Sequence, residues 1–131
     1  MRTIGFSKTF YRQTASARRS VCLHFYQPLK LSNIMTYDQE IRSSKVVLME
    51  FYASWCPHCQ RMMPVVAQVK ELLDGRANVC QLDIDNNKEA ADAADVRSIP
   101  SFLIYVDGEE AWRHTGEIDG EVLLSKIESF L

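Results

Sequence analysis

The stretch Lys45-Val46-Val47-Leu48-Met49-Glu50-Phe51-Tyr52 most limits what this chain can fold into. It is an apolar, β-prone run broken inside only by Glu50, and such a run suits a strand buried on both faces, as in parallel sheets. Just beyond it, Cys56-Pro57-His58-Cys59 puts Pro57 where the first residue of a helix falls. Met62, Val65, Val66, Val69, Leu72 and Leu73 then recur at three- and four-residue spacing, and Gly75 closes the segment. Pro64 lies inside this helix and should kink it. Asn78 to Ile84 reads as a second buried strand, so the three elements make one βαβ unit with a right-handed crossover.

The grammar then changes. Asn87 to Asp95 is an Ala-rich helix. Ser101 to Val106 is a strand, Asp107-Gly108 a hairpin turn, and Glu110 to Thr115 the return strand. Asp119 caps a last amphipathic helix through Val122, Leu123, Ile127 and Phe130. Ahead of the first strand, Thr36-Tyr37-Asp38-Gln39 has capping-box spacing for a short helix reaching about Ser43. The expected class is α/β, with a mixed central sheet of one βαβ unit plus a C-terminal β-hairpin and helices on both faces.

Charge divides the 131 residues in two. Residues 1–35 hold six Lys/Arg and no acid, while residues 36–131 hold nine Lys/Arg and all seventeen Asp/Glu. An acidic body argues against nucleic-acid binding, and no stretch has the roughly 18 apolar residues of a membrane span. Residues 1–35 read as a disordered leader or a mis-called start, with Met35 as the internal alternative. Organellar targeting or export and an added edge strand near Leu29-Lys30-Leu31 are the other options. The working domain is expected over residues 36–131, as a monomer in the cytoplasm, because His24 and Gln27 interrupt the best export segment.

A thiol at a helix N-terminus meets unpaired backbone N–H groups and the positive end of the dipole, which favours the thiolate. Cys56 is therefore expected to be the attacking residue of a reversible dithiol, and Cys59, one turn further in, the resolving one. Half a zinc site has the same Cys-x-x-Cys spacing. No second such pair follows, and His24, His58 and His114 show no ligand spacing to it. Cys80 reads as a small buried hydrophobe and Cys22 as a leader thiol without a role.

Phe51-Tyr52-Ala53-Ser54-Trp55-Cys56-Pro57-His58-Cys59 resembles the active-site strand and turn of the thioredoxin family. Pro64, Leu82-Asp83-Ile84-Asp85, Val96-Arg97-Ser98-Ile99-Pro100, Val106-Asp107-Gly108-Glu109 and Gly116 also match its pattern. The resemblance implies a thiol–disulfide oxidoreductase without a bound cofactor, acting on protein disulfides and re-reduced by a thioredoxin-reductase-type donor. It implies a groove of Trp55, Pro57, Ile99, Pro100 and Gly116 with a cis Ile99–Pro100 bond. An extended substrate would pair with the freed Ile99 backbone. Glu50 takes the place of the family's buried acid and would accept the Cys59 proton.

Two departures qualify this. Pro57-His58 is the dipeptide of the periplasmic disulfide-oxidase family, and His58 is expected to bond or pair with the Cys56 sulfur and make the disulfide more oxidising. That family's helical insertion has no room between Asp85 and Ser101. Gln81 stands where many thioredoxins have a lysine near the buried acid. Reduction of protein disulfides is the expected activity. The alternatives are an exported oxidase or isomerase using the same dithiol, and a metal-binding or chaperone-like module. Asp92, Asp95, Glu109, Glu110, Glu117, Asp119 and Glu121 are expected to form a solvated acidic surface.

Overall fold

The computed structural model describes residues 35–131; Cys22 and the leader lie outside the described residues. Thr36 caps α1 (Tyr37–Glu40) with the expected capping box, reciprocated by Gln39, though the helix is a single turn that stops short of Ser43. Then follow β1 (Val46–Tyr52), α2 (Pro57–Leu73), β2 (Asn78–Asp83), α3 (Lys88–Ala93), β3 (Ser101–Val106), β4 (Glu109–Thr115) and α4 (Gly120–Glu128). The sheet order is β2-β1-β3-β4. β1 pairs parallel with β2 and antiparallel with β3, which turns through Asp107-Gly108 into β4. Both turn residues take positive φ, 52° and 85°, as a tight hairpin requires.

The apolar run forms β1 because both its faces are covered. Val46 and Leu48 point toward α2 and α4, packing with Met62, Val66, Val69, Leu73, Leu123 and Ile127. Val47, Met49 and Phe51 point the other way, against Ile41, Leu82, Ala91, Ala94 and Tyr105. The period of two thus puts Glu50 on the α2 side. On α2 the buried positions are Cys59, Met62, Val66, Val69 and Leu73, so the buried stripe begins at the second cysteine. Leu72, expected in that stripe, is exposed, and Val65 is half-buried. One edge of the helix covers the sheet, and alternate three- and four-residue steps place only one residue per turn on it. The helix continues through Pro64 and ends at Asp74 and Gly75, both left-handed, rather than at Gly75 alone. Asp119 accepts from the Glu121 and Val122 N–H groups and starts α4. Among the described residues, no helix is long and apolar enough to cross a membrane.

Candidate active site

The junction of β1 and α2 holds the dithiol. Cys56 is the N-cap of α2 in an extended conformation, with Pro57 at the first helical position. Its own N–H donates to the Ala53 carbonyl at 3.1 Å. Cys56 and Cys59 are free thiols packed with Ala53, and Tyr52, Ile84 and Ile99 close around them. Their environments diverge. The Cys59 backbone N–H acts most strongly to hold the Cys56 thiol below its ordinary value. Desolvation opposes it, while the Cys59 S–H, the His58 N–H and the Arg61 charge assist. Burial pushes the Cys59 thiol up to about 11. One sulfur is poised to be a thiolate and its neighbour to keep its proton, an arrangement suited to a two-step disulfide exchange.

Glu50 lies beneath them with no exposed surface. Burial pushes its carboxyl up to about 7, and a hydrogen bond from Gln81 opposes that shift. Gln81 sits directly across the parallel ladder from Glu50, and its Nε2 donates to Oε2 at 2.7 Å. Oε1 has no hydrogen-bond partner among the described residues. The position that removed the family's lysine therefore supplies a neutral donor instead.

On the rim, Ile99 and Pro100 are joined by a cis peptide bond. The Gly116 N–H donates to the Pro100 carbonyl at 2.8 Å. Gly116 takes φ of 101°, and nothing lies within 4 Å of an added Cβ, so backbone conformation rather than crowding favours glycine there. Trp55 is 63% exposed, and its indole N–H donates to Asp85 Oδ2 at 2.9 Å, a partner that sequence alone does not reveal. Ile99 thus joins the cysteines directly, while Trp55 stands at the edge, tied to the loop after β2.

The matching model is described as Thioredoxin, and it covers residues 26–129. The chain belongs to the thioredoxin family. It is 31% identical to the chloroplastic thioredoxin Y of Oryza sativa subsp. japonica, over 92% of this chain and 71% of that one. It is 36% identical to a thioredoxin of Staphylococcus saprophyticus, over 72% of this chain and 90% of that one. A mutant thioredoxin from Halobacterium salinarum superposes with a TM-score of 0.66 at 38% identity, over 71% of this chain and 80% of that one. The fold is the thioredoxin fold, and the protein is a thiol–disulfide oxidoreductase with a Cys-x-x-Cys dithiol.

Two expectations are corrected. The His58 imidazole, expected on the Cys56 sulfur, turns instead to Glu117, with Nδ1 2.7 Å from Oε2. What His58 gives the sulfur is its backbone N–H. The carboxylate offers a fixed charge within reach of the exposed ring, and it wins the imidazole. Glu117 accordingly is not simply solvated surface: the Arg61 guanidinium, with His58 assisting, holds its carboxyl down to about 2. Arg61 and Glu117 are the site residues that sequence reading missed. Arg61 is three positions after His58 and so shares its helix face. Glu117 follows the groove glycine, and those two adjacencies are the signal that was available. Cys80 is fully buried on the opposite face of the sheet.

Proposed function

We propose that this thioredoxin-family protein reduces protein disulfides with Cys56 as nucleophile, Cys59 as resolving thiol and Glu50 as its proton acceptor. The divergence of the two sulfurs carries this reading: Cys56 is held down by helix N–H groups and Cys59 is pushed up by burial. The Cys56 thiolate attacks a substrate sulfur, the substrate S–S bond breaks, and the departing sulfur takes up a proton. Cys59 then gives its proton to Glu50 and attacks the Cys56 sulfur, forming the protein disulfide and releasing the second substrate thiolate. Two electrons pass from the dithiol to the substrate, and a thioredoxin-reductase-type donor restores them. Trp55, Pro57, Ile99, Pro100 and Gly116 form the groove, where an extended substrate pairs with the Ile99 backbone. The protein acts as a monomer through residues 36–131 and needs no bound cofactor.

Reduction of insulin disulfides by the metal-free protein tests the activity. Turnover that survives Cys56→Ser would remove the proposed nucleophile, and inactivity of the metal-free protein would favour a metal-binding module. A reduction potential close to the roughly −120 mV of strong oxidants would favour the oxidase reading. As to place, the cytoplasmic reading has an organellar rival. It is supported by the acid-free basic residues 1–35 and by similarity to a chloroplastic relative along most of the chain. Mass spectrometry of the native N-terminus separates them: cleavage between residues 20 and 35 supports an organelle or export.

A further inference from the structure

The loop after β4 carries Glu117 next to the groove glycine, and its carboxylate reaches across to α2. Oε2 accepts from Arg61 Nε at 3.0 Å and Arg61 Nη2 at 2.7 Å, and it lies 2.7 Å from His58 Nδ1. Arg61 Nη2 is also 2.9 Å from that same His58 nitrogen. One ring nitrogen cannot serve both neighbours at once. In the tautomer with hydrogen on Nδ1 it donates to Glu117; in the other it accepts from Arg61. In either state the imidazole is anchored in this clamp, and a single anion offsets two groups that would otherwise stabilise the Cys56 thiolate. All three side chains are well exposed, with fractional exposures of 60%, 57% and 38% for His58, Arg61 and Glu117.

We infer that Glu117 is a positioning residue that keeps His58 and tempers Arg61 away from the Cys56 thiolate, holding a Cys-Pro-His-Cys dithiol toward the reducing end of its range. Stabilising the thiolate stabilises the reduced protein and makes the disulfide a stronger oxidant. Removing Glu117 frees both side chains to do so. The inference rests on Cys56 being the nucleophile of the proposed reaction.

The test is equilibration with glutathione, in which two glutathione thiols reduce the Cys56–Cys59 disulfide and leave one glutathione disulfide. The wild-type constant alone bears on the reductase reading; differences among variants bear on Glu117. Glu117→Gln should shift the constant about tenfold toward reduced protein, equivalent to about 30 mV for two electrons. The pH profile of Cys56 alkylation by iodoacetamide should move to lower pH along with it. His58→Asn alone should change the constant by less than about twofold, because its ring is already engaged. In the Glu117→Gln, His58→Asn double variant the constant should return to within about threefold of wild type. A shift below about threefold in Glu117→Gln overturns the inference. So does a full shift that persists in the double variant, which would assign the effect to Arg61 alone. The side chains are exposed, and circular dichroism verifies that each variant is folded.

Discussion

Two carboxylates flank the dithiol, and their surroundings drive them apart. Glu50, sealed in β1 with one amide donor, is raised from 4.5 to about 7. Glu117, on the rim with a guanidinium and an imidazole, is lowered from 4.5 to about 2. The same functional group therefore does two jobs. Near neutral pH Glu50 can gain or lose a proton, which suits a base for Cys59. Glu117 stays ionised there and acts as a fixed charge. In the proposed mechanism the buried floor moves protons, and the exposed rim sets how readily Cys56 carries charge.

The largest perturbation silences both regions at once. Cys56→Ser should abolish insulin-disulfide reduction, because neither carboxylate has a nucleophile left to serve. Cys59→Ser should instead trap the mixed disulfide with substrate, visible by mass spectrometry.

Glu50→Gln strikes the floor alone. Resolution of the mixed disulfide at neutral pH should slow about 100-fold. Stability should move the other way. Folding raises the pKa of Glu50, so between about pH 4.5 and 7 the folded protein binds more protons than the unfolded chain, and stability falls as pH rises through that window. The deficit at pH 8 corresponds to roughly 3 kcal/mol, and the glutamine variant should recover about 2 kcal/mol of it, since the new amide needs a partner of its own. Urea denaturation at pH 5 and pH 8 measures both the gain and the loss of slope.

Gln81→Leu sharpens the same region more gently. The Gln81 hydrogen bond opposes the rise at Glu50, so its loss should raise the carboxyl further. The pH profile of the resolving step should follow.

The rim should matter least for stability. Glu117→Gln should move the thermal midpoint by no more than about 2 °C at neutral pH, because exposed ion pairs contribute little. Glu117 is lowered on folding, so what it contributes is present above about pH 4.5 and fades as pH falls toward 2. A large loss of stability at neutral pH would show that the clamp holds the fold together rather than tuning the site.

Much of this was legible in the sequence because its signals are local or periodic. The run from Val46 to Tyr52, the three- and four-residue steps along α2 and the Asp107-Gly108 turn each encode their own geometry. Cys56 and Cys59 were legible as a spaced pair, Pro100 and Gly116 only through the resemblance to the thioredoxin pattern, and Glu50 as an acid stranded in an apolar strand. The rim was not legible. His58, Arg61 and Glu117 meet only after β3 and β4 bring the Gly116 loop beside α2, and exposed side chains leave no periodic trace. His58 therefore read as a partner of Cys56, and Glu117 as one acid among many. Gln81 could be recognised as a departure. Its hydrogen bond to Glu50 needed the parallel register of β1 and β2.

The most direct test of the floor is the pH dependence of mixed-disulfide resolution, followed by rapid mixing in wild type and Glu50→Gln. If Glu50 accepts the Cys59 proton, the wild-type rate rises through an ionisation near pH 7 that is absent in the variant. Identical profiles in the two proteins would contradict it.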